Sequence, residues 1–303
     1  ILESTTYPGT TIEIVQPILE NVSNLKAGKD FLLGYSPERI DPGNKEWTFK
    51  NTPKIVSGIN KKSLEKISKF YKSIIDEVIE VSGTREAEMV KLIENTYRQV
   101  NIAMVNELAI LSNMLDIDIW EVVEAAKTKP FGFQSFRPGP GVGGHCIPID
   151  PKYLSFKTRQ IGQPVRFVEL AQEINNSMPN YVVARISELM NKKEILLKNS
   201  KILILGVAYK KDIGDTRESP AIDIMESLLE KSVELSFYDP HVDELVFNKN
   251  SISKEENLEN LSSYDLILIH TPHSEFHEIN FESVTSLIFD STGSFEISDA
   301  ERI

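Results

Sequence analysis

One cysteine in 303 residues, Cys146, excludes an internal disulfide and any multi-cysteine zinc site. Long apolar runs are missing too. The longest, such as 202–205 and 266–269, have four residues, against about 20 for a membrane span. Cations are scarce: 33 Lys and Arg stand against 45 Asp and Glu, a formal net charge of −12 with a pI near 5.0. That balance argues against nucleic acid or an anionic membrane as partner, because both need a positive face. No charged-then-apolar leader precedes Ile1, so a cytoplasmic location is expected. There is no internal repeat and no low-complexity tract. What is present, 41% hydrophobic and 26% charged residues, suits a folded chain of two or three domains.

Along the chain the pattern is α/β, then helical, then α/β. From 1 to 83, apolar runs at 31–35, 54–58 and 78–81 alternate with helical stretches at 10–21 and 62–74, which implies βαβ units and a mostly parallel sheet. Pro17 inside the first helical stretch is expected to end or kink it. Ile1 and Leu2 read as the end of a strand, so an N-terminal portion is expected ahead of them. From 84 to 198 strand signals vanish. Met89, Val90, Ile93, Tyr97, Val100, Met104, Leu108 and Leu111 recur at three- and four-residue spacing, predicting a helix over 86–115. Further helices are predicted over 120–127 and 165–192, with Pro179 kinking the last. From 199 to 303 alternation returns, with strands at 202–205, 233–237, 266–269 and 287–289. Between the first and second of these, Ser219 caps a helix opened by Pro220.

The densest chemical signal is the loop 138–150. Four glycines, Gly139, Gly141, Gly143 and Gly144, fall within six positions, so the backbone can approach a ligand closely or adopt positive φ. Cys146 behind them could be a nucleophile, with Asp150 as base or orienter, or an inert buried thiol. A His145/Cys146 metal site lacks further ligands. Lys91, Asn95 and Arg98 share one face of the first long helix, where an amine and an amide can stabilise an oxyanion or simply be solvated. Gly206 to Asp212 follows a strand, and Thr216 to Pro220 leads into a helix. This is a reasonable phosphate site, though neither a dinucleotide fingerprint nor a P-loop.

Taken in order, Ser-Thr-Thr after a strand, Ser36-Pro37-Glu38-Arg39, the Lys91/Asn95 helix, the glycine-cysteine loop ending Ile-Pro-Ile-Asp-Pro, and Lys-Lys-Asp-Ile-Gly-Asp-Thr-Arg-Glu-Ser-Pro from Lys210 resemble the UDP-glucose/GDP-mannose dehydrogenase family. Ser-Pro-Glu-Arg-Ile-Asp-Pro-Gly-Asn and Phe-Gly-Phe-Gln-Ser-Phe-Arg-Pro-Gly-Pro-Gly look most like its UDP-N-acetylglucosamine 6-dehydrogenase branch. The resemblance implies two Rossmann-like domains, the first truncated, joined by a long-helix central domain that dimerises. It divides the chain into 1–83, the remainder of an NAD-binding domain; 84–198, a helical domain with the cysteine loop; and 199–303, a UDP-sugar-binding domain.

It also implies oxidation of a UDP-sugar C6 alcohol to a carboxylate with two NAD⁺. Cys146 would carry the thiohemiacetal and thioester, Lys91 and Asn95 would stabilise oxyanions, and Asp150 would order the hydrolytic water or act as base with Lys91. Thr5 and Glu38 would lie on the nicotinamide side. Phe136, Arg137, Gly139 and Gly143 would line the sugar site, with Arg39 and Arg98 as polar substrate contacts. Lys210 would bind the diphosphate and Arg217 the cofactor. Two departures accompany the resemblance. The family's opening βαβ unit with its G-x-G-x-x-G turn is absent, so weak NAD⁺ binding is expected of these residues alone. The stretch 127–132 has no Arg to reach across a subunit interface. A 6-dehydrogenase of UDP-glucose or of UDP-N-acetylmannosamine, a non-catalytic UDP-sugar-binding module and a cysteine hydrolase are the competing readings.

Overall fold

The computed structural model describes residues 1–41, 44–144, 147–247 and 250–303. They form two compact units, one of Ile1–Arg98 with Ile149–Val168, the other of Gln99–Pro148 with Glu169–Ile303. The helical segment expected over 84–198 is thus divided between them.

In the first unit, β1 (Lys54–Val56) and β2 (Val78–Glu80) pair in parallel, Ile55 opposite Ile79. The strand expected at 31–35 is reduced to single bridges, Leu2 with Tyr35 and Ala27 with Phe31. Backbone bonds from Ser57 N to Tyr35 O and Ile59 N to Leu33 O, both 3.0 Å, still attach it beside β1. The approach is close: a Cβ on Gly34 would lie 2.1 Å from the Ser57 carbonyl, so only glycine fits. The first helical stretch is not broken by Pro17. It winds as a π-helix over Thr11–Val15 and passes to α1 (Gln16–Ser23) with Pro17 in the first α-turn, so the missing N–H falls where the register changes. Asn24, at φ 56°, ends it. α2 (Lys61–Tyr71) is capped by the Asn60 side chain, which accepts from Ser63 N. Ile67 and Tyr71, one turn apart, pack on Val56 and Ile75. The start of α3 (Thr84–Met114) joins this unit, and Leu92 packs with Leu154 of α5 (Asp150–Gln160) and with Val168.

The second unit holds a six-stranded, all-parallel sheet. Its strands are β3 (Lys201–Leu205), β4 (Glu234–Tyr238), β5 (Ser253–Lys254), β6 (Leu266–Ile269), β7 (Leu287–Asp290) and β8 (Glu301–Arg302), in the order β8-β7-β6-β3-β4-β5. Because side chains alternate along a strand, Ile202, Ile204, Leu266 and Leu268 face one way. They meet α4 (Ile119–Lys127), α6 (Arg166–Lys192) and α7 (Pro220–Glu230) through Trp120, Met178, Val182, Ile186, Ala221, Ile224 and Leu228. Leu203, Leu205, Ile267 and Ile269 face the other way, onto Phe276 and Phe281. Each such side chain, fully buried, contributes about 1.5–3 kcal/mol of transfer free energy. Pro179 lies inside α6, which continues to Lys192. From β3 the chain steps to β4 on one side, while β6 lies on the other, so the carboxyl ends of β3 and β6 mark the switch point at which open α/β sheets bind ligands. Among the described residues no helix is long and apolar enough to cross a membrane.

Candidate active site

α3 presents Glu88, Lys91 and Asn95 at spacings of three and four, hence on one face. Glu88 is fully buried. Its carboxylate accepts hydrogen bonds from Gly9 N at 2.6 Å, Thr11 N at 2.8 Å and Thr11 Oγ1 at 2.6 Å. The negative charge therefore sits at the start of the Thr11–Val15 turn, where free helical N–H groups point, and it anchors the loop carrying half-buried Thr5. One helical turn beyond Lys91, Asn95 Nδ2 donates to Asp150 Oδ2 at 2.5 Å. Both residues are buried, and Asp150 opens α5, where a carboxylate is favoured by the helix dipole. Two residues 55 positions apart, both expected in the catalytic group, are thus in contact. Tyr35 is fully buried beneath them, and its hydroxyl bonds to no described residue. Burial, reinforced by the Glu88 and Asp150 carboxylates, pushes its pKa well above the ordinary phenol value.

Glu38 and Arg39 have structural partners. Glu38 Oε1 accepts from Arg39 N at 2.7 Å and Ile40 N at 2.8 Å, closing the turn after Ser36-Pro37. Its other oxygen lies 3.3 Å from Lys54 Nζ. Arg39 donates to Pro53 O at 2.7 Å and pairs with Glu94 of α3 at 2.7 Å. Lys54, which motif reading does not single out, is 4% exposed and is held between Glu3 and Glu38. Arg98 is exposed on α3.

In the second unit the glycine loop meets protein, not open space, at three of its four glycines. A Cβ on Gly141 would lie 3.2 Å from Pro220, one on Gly143 2.7 Å from Tyr209 Cβ, and one on Gly144 2.6 Å from the Tyr209 ring; around Gly139 nothing lies within 4 Å. Gly139 N donates to Asn106 Oδ1 at 2.9 Å, and Gly144 N to Arg217 O at 3.2 Å. Phe136 packs against the main core, while exposed Arg137 pairs with Glu124 at 2.8 Å. His145 and Cys146 lie outside the described residues. The loop after β3 carries half-buried Lys210. Arg217, at its far end, forks onto Asp215 with contacts of 2.6 to 3.1 Å.

That loop is closed from beneath by buried Asp239 and His273. Asp239 Oδ2 accepts from Val207 N at 2.8 Å and Ala208 N at 3.1 Å, and Oδ1 from His241 N at 2.8 Å. His273 Nδ1 accepts from Asp212 N at 2.9 Å, which puts its proton on Nε2, 3.0 Å from Asp239 Oδ2. Burial alone would raise the Asp239 pKa, but the bonds from His273, Val207 and His241 outweigh it and hold the carboxyl below its ordinary value. Asp212, His241, His273 and Glu275 bring four ligand atoms within 4.8 Å of one another. The Nδ1 lone pair of His273 is already occupied by the Asp212 amide, so a metal ion would have to displace that bond. Nothing in the sequence marks Glu88, Asp239 or His273 as partners; Glu88 alone carries a hint, its helical spacing from Lys91.

These amides also decide what the chain offers a dinucleotide. After β3 the N–H groups of Val207 and Ala208 face Asp239, and those of Gly9 and Thr11 face Glu88. Gly139 to Gly144 spells G-x-G-x-x-G, yet it follows no strand and opens no helix. The four amides of Gly9, Thr11, Val207 and Ala208 already have carboxylate partners, which a pyrophosphate would have to displace.

Three family models match the chain: the UDP-glucose/GDP-mannose dehydrogenase NAD binding domain over residues 1–75, the central domain over 85–177 and the UDP binding domain over 203–297. The UDP-N-acetyl-D-glucosamine 6-dehydrogenase of Salmonella typhi is 39% identical over 286 residues, which are 94% of this chain and 67% of that protein. Protein CapL of Staphylococcus aureus is 37% identical over 317 residues, 100% of this chain and 73% of that protein. The solved structure of UDP-D-ManNAc dehydrogenase from Pyrococcus horikoshii superposes with a TM-score of 0.88 at 33% identity, covering 99% of this chain and 71% of its own.

Proposed function

Because the chain belongs to the UDP-glucose/GDP-mannose dehydrogenase family, we propose that it is a UDP-N-acetylhexosamine 6-dehydrogenase. Its substrate in this reading is UDP-N-acetylglucosamine, oxidised at C6 to a carboxylate in the cytoplasm for a surface polysaccharide precursor. NAD, the cofactor of the family's NAD binding domain, takes up the two hydrides. The net change is alcohol plus water plus two NAD⁺ to carboxylate, two NADH and three protons.

The observation that carries the reading is the buried Asn95–Asp150 contact on the face that also bears Lys91. The Cys146 thiolate adds to the C6 aldehyde and later holds the acyl group as a thioester, so the aldehyde does not escape between oxidations. Lys91 and Asn95 donate to the oxyanions that form, each such donor worth about 3 kcal/mol in comparable sites. Asp150, oriented by Asn95, accepts the proton of the water that attacks the thioester. Thr5 and Glu38 stand on the nicotinamide side. Phe136, Arg137, Gly139 and Gly143 line the sugar site, Arg39 and Arg98 contact the substrate, Lys210 takes the diphosphate, and Arg217 takes the cofactor. With the loop amides facing Asp239, the diphosphate depends on side-chain cations. The three segments 1–83, 84–198 and 199–303 serve cofactor, catalysis with dimerisation, and nucleotide.

A homodimer or higher homo-oligomer fits the exposed apolar side chains of α3. Ile93, Tyr97, Met104, Leu108 and Leu111 are each 43% or more exposed and recur at spacings of three, four and seven, a stripe that another helix would cover.

NADH formation by the full-length protein against a panel of UDP-sugars tests the assignment. The expected result is turnover with UDP-N-acetylglucosamine ahead of UDP-N-acetylmannosamine and UDP-glucose. Binding of UDP-sugar with no NADH from any of them would favour the non-catalytic binding module. Cys146→Ser is expected to abolish acid formation, since an alcohol is a poorer nucleophile and leaving group at neutral pH; wild-type turnover would exclude the covalent route.

A further inference from the structure

The glycine loop and the loop after β3 are packed so closely that they constitute one assembly. The Tyr209 ring lies where a Cβ on Gly144 would stand, 2.6 Å away, and Tyr209 Cβ lies 2.7 Å from the corresponding position on Gly143. Gly144, at φ +83°, and Gly143, whose Cβ would also lie 2.8 Å from Glu218 O, leave no room for another side chain. The backbone that carries the ring is itself fixed. Tyr209 N donates to Asp215 O at 2.9 Å, and the two preceding amides, Val207 N and Ala208 N, donate to Asp239, which His273 orients. A second link runs from Gly144 N to Arg217 O. Tyr209 thus stands between Lys210, its neighbour in sequence, and a backbone segment two residues ahead of Cys146.

We propose that Tyr209 is a positioning residue, whose ring against Gly143 and Gly144 sets the course of the cysteine loop and passes to it any shift of the Lys210 loop. The chemistry is mechanical: a rigid aromatic plate on two glycines leaves the backbone one register, and a change on one side of the plate is felt on the other. Substrate binding at Lys210 then readies the cysteine loop. That coupling rests on the reading of Lys210 as the diphosphate ligand, whereas the positioning role does not.

Cys146 is the only cysteine, so alkylation by iodoacetamide reports on this loop alone, without cofactor or turnover. The rate is measured for the wild type and for Tyr209→Phe, Tyr209→Leu and Tyr209→Ala, each with its thermal melt, with and without UDP. Tyr209→Phe keeps the plate and is expected within about twofold of wild type; Tyr209→Ala and Tyr209→Leu are expected to change the ligand-free rate about tenfold, the scale on which small displacements act at reacting groups. UDP is expected to change the rate in wild type and Tyr209→Phe and to leave it unchanged in Tyr209→Ala. Folded Tyr209→Leu and Tyr209→Ala proteins that react at the wild-type rate would overturn the proposal. Tyr209-dependent rates in a wild type that binds no UDP would remove Lys210 from the diphosphate site and uphold the positioning role.

Discussion

The first unit's sheet has two named strands of three residues, extended by single bridges, and among its buried groups are Glu88, Lys54, Asn95, Asp150, Ser36 and Ser57. The second unit's main sheet has six strands, and its central ones, β3 from Ile202 to Leu205 and β6, are buried and apolar on both faces. The second is therefore held mainly by non-directional burial, which tolerates small errors of placement. The first depends on directed hydrogen bonds to buried charge, which tolerate few. Directed bonds also fix side chains to within tenths of an ångström, which is what a group of catalytic residues requires. The part that holds Lys91, Asn95 and Asp150 combines small apolar clusters with directed bonds to the buried Glu88 and Asp150 carboxylates.

This contrast is broken most directly by deleting apolar bulk from the second unit. Phe237 of β4 is fully buried between the helices and the sheet, and Phe237→Ala is expected to cost about 4 kcal/mol. Two-stage denaturant unfolding followed by circular dichroism and by a probe in each unit checks it: the transition of the second unit moves to lower denaturant and that of the first stays. In the first unit the equivalent lesion is polar. Glu88→Ala strands Gly9 N, Thr11 N and Thr11 Oγ1 without their acceptor, a loss expected at about 3 kcal/mol from charge-assisted bonds of this kind. Glu88→Gln is expected to recover little, because the Gln amide nitrogen meets donors. A Glu88→Ala protein whose first-unit transition is unmoved would end the argument that polar contacts hold this unit.

The same difference explains which elements were legible from sequence. Strands β3, β6 and β7 announce themselves through the unbroken apolar runs 202–205, 266–269 and 287–289, nearly all buried in the sheet. Strands β5 and β8 do not: Ser253–Lys254 and Glu301–Arg302 are two-residue polar edges whose pairing is decided by the finished sheet. The run 31–35 looks like a strand by composition, yet only bridges form where Gly34 lets it slip against Ser57. Pro17 promised a break and instead marks a change of helical register. For the site, helical spacing puts Lys91 and Asn95 on one face, but no local pattern tells that Asn95 reaches Asp150 or that Glu88 reaches Gly9. Those pairings are tertiary: residue spacing and family resemblance both singled out Asn95 and Asp150, and neither singled out Glu88. The glycines read as room for a ligand are, at Gly141, Gly143 and Gly144, room for Pro220 and Tyr209.

Acid sharpens the comparison. His270 at the end of β6 is buried, and desolvation holds its pKa down to about 4 from an ordinary 6.5. The unfolded chain therefore takes up a proton near pH 6.5 that the folded second unit refuses until about pH 4. Stability from this group is complete above pH 6.5 and falls between those values, by roughly 3 kcal/mol in total. Asp239, whose folded pKa is depressed, acts further down: its contribution is present above the usual carboxylate range near 4 and is lost below it. Melting temperatures from pH 7 to pH 4 should fall in the wild type and flatten in His270→Leu. Equal slopes in the two proteins would assign the acid sensitivity elsewhere.

The smallest stability effect is expected at Arg217, and its smallness is informative. The guanidinium is 69% exposed and its bidentate partner, Asp215, lies two residues away on the same loop. An exposed ion pair of this kind contributes less than about 1 kcal/mol and is weakened by salt. Arg217→Ala should therefore shift neither unfolding transition by more than about 0.5 kcal/mol. In the full-length protein this variant and Lys210→Ala should then part company: Arg217→Ala raises the KM for NAD⁺, and Lys210→Ala raises it for the UDP-sugar, with kcat little changed, because a contact made equally in ground and transition states alters binding alone. A raised KM for the other ligand in each case would exchange their roles. Unchanged kinetics with unchanged stability would leave Arg217 and Asp215 as a solvated loop pair with no part in the reaction.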